Sequence, residues 1–137
     1  AVHAFDGQQR FPLQRAFVAM LSRARVLSPG LPLDRLHDAL HGDRGSRRDR
    51  REKRELLHPL TVPEDRRELE FAYERLVLEQ LAPWIADAMH CDRVIFQSFP
   101  CVRVHRPGEF SIGPHCDAQY QLPDGNVNVY VPLTSIW

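Results

Sequence analysis

The hydrophobic pattern of this chain changes its period near Asp92. Before Asp92, in residues 1–92, apolar residues recur about every 3.6 positions, as on one face of an amphipathic helix. In residues 93–137, apolar and polar residues alternate, as along a half-buried strand. The length of 137 residues suits one domain with a core of its own. Helices followed by strands predict an α+β fold, with the helices packed on one sheet.

The first part of the chain is predicted to be mostly helical and to support the sheet. One helix follows Pro12, which suits a first turn because its missing N–H has no partner there. A second, longer helix begins at Thr61-Val62-Pro63-Glu64, where Thr61 can cap the helix and Glu64 can complete a capping box. We expect this helix to kink or restart at Pro83.

A charged segment at about 42–58 lies between these helices. No apolar residue occurs between positions 43 and 55, so we expect a mobile, solvated loop or helix end. Such a loop beside an active site could also act as a lid. An anion-binding arm is the competing interpretation, but no aromatic side chain is interleaved to stack on bases. The cations of this run are Arg44, Arg47, Arg48, Arg50, Arg51, Lys53 and Arg54.

Two segments after the change of period alternate most clearly, 101–105 and 126–131. In the first segment, Arg103 and His105 lie on the face opposite the valines. In the second segment, Asn128 lies on the face opposite its valines. If the helices cover the valine faces, these polar residues line a pocket. If not, they face water. The alternation alone leaves both interpretations open.

The tripeptide His115-Cys116-Asp117 lies between these two segments. On an extended backbone, side chains two residues apart point the same way, so the imidazole and the carboxylate can bind one metal ion. They would be two of the three ligands of a 2-His-1-carboxylate triad, which holds Fe(II). No later histidine follows, and His105 is more simply a pocket histidine than the third ligand. We therefore expect this chain to be incomplete and inactive alone.

Composition argues against several classes of function. Lys plus Arg and Asp plus Glu number 18 each, so the overall charge does not favour nucleic acid or an anionic membrane. The three cysteines show no CxxC spacing, which argues against a zinc site and fits a reducing cytoplasm. No stretch approaches the roughly 18 apolar residues of a membrane span. Composition leaves homo-oligomerisation open.

Three motifs occur in order near the C-terminal end of the chain. The segments 102–109, 113–120 and 126–134 resemble the first half of an Fe(II)/2-oxoglutarate-dependent dioxygenase. More narrowly, they resemble the streptomycin-biosynthesis type within the phytanoyl-CoA-hydroxylase-like subgroup. The resemblance implies a double-stranded β-helix (a cupin or jelly-roll fold), incomplete here, with the N-terminal helices on its larger sheet.

The resemblance also implies an activity and its cofactors. His115 and Asp117 would bind Fe(II), and 2-oxoglutarate would be the co-substrate. Its decarboxylation would be coupled to O2-dependent hydroxylation or a related oxidation of a small polar metabolite, as in antibiotic biosynthesis. The residues expected to contact co-substrate or substrate are Arg103, His105, Tyr120 and Asn128.

Two other classes of function compete with this enzyme. A non-catalytic, cupin-like module would bind a small ligand or a metal without turnover. An interaction domain would use the arginines of 43–55 to bind nucleic acid or protein, with steep salt dependence.

Overall fold

The computed structural model describes residues 7–109 and 125–135. Five α-helices, two 3₁₀-helices and one π-helical turn form in these ranges. The 3₁₀-helices follow α2 and α3, and the π-helical turn joins α4 to α5. The α-helices are α1 (Gly7–Arg10), α2 (Leu13–Arg23), α3 (Arg47–Leu56), α4 (Pro63–Leu76) and α5 (Ala82–Met89); the 3₁₀-helices are Leu33–Ala39 and His58–Thr61, and the π-helical turn is Val77–Leu81.

The core lies mainly where α2 packs on α4. The helix predicted after Pro12 is confirmed, and its buried residues recur at helical spacing along one face. α4 contributes a matching row at intervals of three and four residues. The buried residues of the two helices are Leu13, Ala16, Phe17, Met20 and Leu21 from α2 and Leu69, Ala72 and Leu76 from α4.

The start of α4 differs from its sequence prediction. Pro63 is the first helical residue, but the cap position is Val62, which makes no side-chain bond to the helix. The hydroxyl of Thr61 instead donates to the carbonyl oxygen of His58, at 2.8 Å. The predicted capping box is therefore wrong, because the preceding 3₁₀-helix uses the Thr61 hydroxyl that would have formed it.

The helical path continues from α4 through Pro83. The π-helical turn comes just before this proline, and α5 then continues to Met89. Proline has no N–H and its ring collides with the carbonyl four residues earlier, so a widened turn at that point relieves both problems. The expected kink or restart at Pro83 takes the form of this π-helical turn, after which α5 begins at Ala82. His90 ends α5 in the left-handed conformation, at φ 50°.

The predicted α+β fold, with helices on the sheet of a double-stranded β-helix, is wrong for the described residues. Neither 7–109 nor 125–135 contains a strand or a sheet. In the alternating segment 101–105, Val102 and Val104 pack against the helical core instead. Alternation determines which side chains share a face, but a sheet also needs a partner strand within hydrogen-bonding reach.

The charged segment predicted as a loop at about 42–58 contains α3. The Ser46 hydroxyl caps this helix by accepting from the backbone N–H of Asp49, at 3.0 Å. The ion pair of Arg48 with Glu52, one helical turn apart, adds support along the helix, at 2.7 Å. Polar caps and pairs thus hold the charged part of this segment, and Leu56 at its end packs into the core. The division of a single domain into regions 1–92 and 93–137 stays a prediction.

Candidate functional site

The predicted site residues divide into two groups. His115, Asp117 and Tyr120 lie outside the described residues, so their placement stays a prediction. Arg103 and Asn128 are exposed, and His105 is half-buried. Within 7–109 and 125–135, no three His, Cys, Asp or Glu side chains come together as a set that could hold a metal ion.

The turn Arg106–Glu109 is the described segment that comes just before the predicted metal-binding tripeptide. An Arg106 Nη1–H donates to Asp49 Oδ1 in α3, at 2.5 Å. The Lys53 ammonium, also in α3, donates to the Glu109 carboxylate and lies 3.4 Å from Asp49 Oδ2. We call these four residues, Asp49, Lys53, Arg106 and Glu109, the polar junction.

Asp49 is the centre of the polar junction and is only 1 % exposed. Burial by itself disfavours its ionised form, but hydrogen bonds from the Gly45 N–H and from Arg106, together with the Lys53 charge, outweigh this effect. The pKa of Asp49 therefore lies below its ordinary value. Asp49 is thus a buried carboxylate that is ionised and fully paired.

Glu109 closes the polar junction from the turn. Its second carboxylate oxygen accepts from the backbone N–H of Arg106, at 2.8 Å, while the first is bound by Lys53. Burial opposes ionisation of Glu109, and these two contacts outweigh it, so its pKa is lowered. Glu109 therefore closes the turn through the Arg106 N–H and attaches it to α3 through Lys53.

Gly42 brings the chain before α3 against the same helix. Its carbonyl oxygen accepts from Arg106 Nη2, at 2.8 Å. A Cβ at this position would lie 2.5 Å from the backbone nitrogen of Asp49, so no larger residue fits without a shift of the backbone. Glycine is required here because the chain approaches the first turn of α3 too closely for any side chain.

Glu52 fixes this approach from the other side of Gly42. Its carboxylate accepts from the backbone N–H groups of His41, at 2.7 Å, and of Gly42, at 2.8 Å, and from Arg48 Nε. The hydrogen bond from Gly42 is the largest influence, and these contacts outweigh the opposing effect of burial. They lower the pKa of Glu52 from 4.5 to about 2.

Arg44 completes the attachment of the turn. Its two terminal nitrogens donate to the carbonyl oxygens of Gly108 and Pro107, at 2.8 and 2.9 Å. A planar guanidinium can satisfy two neighbouring acceptors at once, which a lysine ammonium does less well. Side chains from the charged segment therefore hold the backbone oxygens of the turn as well as its charged groups.

The polar junction and Glu52 fix the position of the turn and offer no free group for chemistry. The carboxylates of Asp49, Glu52 and Glu109 each accept one hydrogen bond from a cationic side chain and at least one from a backbone N–H. None is left as a free base or metal ligand. The last residue of the polar junction, Glu109, lies six positions before His115 in the sequence.

Sequence reasoning missed the polar junction. The local spacing of Ser46 and Asp49 does signal a capped helix start, and Arg48 and Glu52 have pairing distance on a helix. Asp49 and Arg106, however, are 57 positions apart, and no periodicity connects them. A single sequence therefore predicts the helix but not the contact with Arg106 that buries the side chain of Asp49.

Comparison with known proteins leaves the family of the chain open. No family model, no curated protein and no solved structure matches it. Among the helices in the described ranges, none combines the length and the apolar character needed to cross a bilayer. The dioxygenase resemblance therefore depends on the three sequence motifs alone.

Proposed function

We propose that this chain belongs to an Fe(II)/2-oxoglutarate-dependent oxidoreductase in which His115 and Asp117 bind the metal. The observation that carries the proposal is the His115-Cys116-Asp117 tripeptide within its motif context. Neutral imidazole and carboxylate are donors that suit Fe(II). When bound, iron with 2-oxoglutarate supplies O2-dependent hydroxylation or a related oxidation of a small polar metabolite.

The described residues nearest in sequence are compatible with this assignment. Glu109, the carboxylate closest to the tripeptide on its N-terminal side, is occupied by Lys53 and by the backbone of Arg106. It therefore does not compete with Asp117 for a metal. The attachment of the turn to α3 gives the tripeptide segment a fixed starting point, which limits the conformational entropy that metal binding must overcome.

Metal binding by the 137-residue chain tests the proposal. Fe(II) and 2-oxoglutarate are added without oxygen, and the visible absorption of the chelate is followed. We expect a weak charge-transfer band, because two protein ligands bind more weakly than three. His115→Ala and Asp117→Ala should each weaken Fe(II) binding by about tenfold or more, since each removes one of two protein ligands.

Two matched variants are controls for these substitutions. His41→Ala removes an exposed imidazole, and Asp92→Ala removes an exposed carboxylate. Both should bind Fe(II) as the unmutated chain does. Equal binding by all four variants would refute the assignment of His115 and Asp117. Fe(II) binding without a charge-transfer band on addition of 2-oxoglutarate would favour the non-catalytic binding module instead.

We also place this protein in a reducing compartment, the cytoplasm. Cys91 and Cys101 are both exposed and unpaired in the structure. Exposed thiols persist most readily where glutathione keeps them reduced. Thiol titration of protein isolated under rapid alkylation checks this assignment, with both cysteines expected to be fully labelled.

A further inference from the structure

α3 has two faces of opposite character. One face carries Asp49, Lys53 and the buried Leu56 toward the rest of the molecule. At about 100° per residue, four arginines of α3 lie within an arc of about 100° on the other face. All four are exposed. We call this set the arginine face; it consists of Arg47, Arg50, Arg51 and Arg54.

The arginine face is only partly neutralised within the described residues. Arg50 donates to the carbonyl oxygen of Gly45, at 2.6 Å, and Arg51 lies 3.7 Å from the exposed Glu55. The side chains of Arg47 and Arg54 form no hydrogen bond or ion pair with any residue in the parts of the chain that the structure describes. The face therefore presents cations that are available to an anion.

The stability of α3 does not explain this arrangement. Arg47 lies in the first turn, where the positive end of the helix dipole disfavours a cation. Arg47 with Arg51, and Arg50 with Arg54, are like charges one turn apart, which destabilise a helix. An exposed glutamine at these positions would form a helix as well and would avoid the repulsion. A bound anion would offset both penalties.

The character of the whole chain narrows the class of anion. The chain has a formal net charge of zero, whereas domains that bind nucleic acid are usually strongly basic. The arginine face includes neither an apolar residue for insertion into a membrane nor an aromatic residue for stacking on bases. Its extent along the helix, about 10 Å from Arg47 to Arg54, matches two turns of an acidic helix. Local complementarity to a short acidic segment fits these facts.

We propose that the arginine face of α3 binds an acidic peptide segment of a partner protein. Guanidinium groups bind carboxylates in a two-pronged geometry, so arginine suits this role. The proposal is independent of the iron assignment, because it concerns a different part of the chain and uses no metal. Glu52 and Asp49 stay engaged with the rest of the fold while the arginines are bound.

The test uses the 137-residue chain and a labelled glutamate peptide of about eight residues, long enough to cover the face. Fluorescence anisotropy is measured in about 20 mM salt, where screening is weak. Arg47→Gln/Arg51→Gln/Arg54→Gln should weaken binding about tenfold, since three exposed ion pairs of ordinary strength are lost. Raising the salt to about 150 mM should also weaken binding.

A matched control separates the face from net charge. Arg15→Gln/Arg67→Gln/Arg93→Gln removes the same number of exposed arginines elsewhere on the molecule. This control should change the affinity for the peptide less than about twofold. Equal weakening by both triple variants would show that only net charge matters, and would overturn the proposal.

Two further measurements complete the test. Tighter binding to a DNA duplex or to anionic phosphatidylglycerol vesicles than to the peptide, with the same arginine dependence, would overturn the choice of partner. If circular dichroism shows that the triple variant loses helix, Arg47→Gln and Arg54→Gln replace it as single variants. Each should weaken peptide binding about twofold, and unchanged binding by both would overturn the proposal.

Discussion

The α2–α4 interface and the polar junction hold this molecule together by different physical means. The interface is built from side chains such as Met20, Leu21 and Leu76, which are at most 1 % exposed. The polar junction buries Asp49 to the same degree but surrounds it with hydrogen bonds and opposite charges. Apolar packing is non-directional and scales with area, whereas the junction depends on each partner being present.

The two regions should therefore respond differently to substitution. Loss of a methyl group from the interface leaves a cavity, and neighbouring side chains can partly fill it. Loss of Asp49 leaves the half-buried Arg106 guanidinium without its carboxylate, and no rearrangement of apolar atoms compensates. The interface should therefore respond to volume and the polar junction to charge.

The largest expected effect is in the apolar interface. Leu69 in α4 is 2 % exposed, and Leu69→Ala should lower the free energy of unfolding by about 3–4 kcal/mol through lost burial and a residual cavity. Urea denaturation followed by circular dichroism measures this change. Leu78→Ala is the matched control, because Leu78 is 52 % exposed, and its effect should stay within about 0.5 kcal/mol. Comparable losses in the two variants would contradict the position assigned to the core.

The next effect is in the polar junction. Asp49→Asn keeps the shape of the side chain and removes its charge, so the half-buried Arg106 guanidinium is left beside a neutral partner. The free energy of unfolding should fall by about 2–3 kcal/mol. The exposed Asp92→Asn is the matched control and should have little effect.

A double-mutant cycle sharpens this measurement. If Asp49 and Arg106 act as a pair, Asp49→Asn/Arg106→Gln should lose less stability than the sum of the single losses, by about 1 kcal/mol or more. Additive losses would mean that the two groups stabilise the fold separately, and the distinction between the polar junction and the apolar interface would fail.

The apolar interface was largely predictable from the sequence. The spacing of residues after Pro12 and the special chemistry of Pro83 are local signals, and both were confirmed. The failures involve distant information. The alternation in 101–105 predicted a strand, yet Val102 and Val104 pack on helices, because period alone does not specify the partner surface.

The candidate site was only partly accessible from the sequence for the same reason. His115 and Asp117 are close in sequence, so a shared metal could be proposed from the tripeptide together with the motifs around it. The charged ends of the turn Arg106–Glu109 bind α3, and no local pattern in the sequence indicates this contact. The contact between Arg106 and Asp49 joins residues 57 positions apart. It could not be predicted once the segment before Arg106 was wrongly assigned to a strand.

The smallest expected effect is the pH dependence contributed by Glu52. Its pKa is lowered from 4.5 to about 2 by the Gly42 N–H and its other contacts. A depressed pKa means that the ionised form favours the folded state. This contribution is complete above the ordinary pKa and is lost as the pH falls from about 4.5 toward about 2.

Glu52→Gln isolates this contribution from those of Asp49 and Glu109, whose carboxylates are present in both proteins. We expect the variant to have a lower thermal midpoint than the unmutated chain at about pH 5, and the two midpoints to approach each other as the pH falls and to converge only below about pH 2. Glu55→Gln, on the exposed side of the same helix, is the control. Parallel curves for Glu52→Gln and the unmutated chain would contradict the linkage. Convergence would show that α3 is attached through charge, as the contrast with the apolar interface requires.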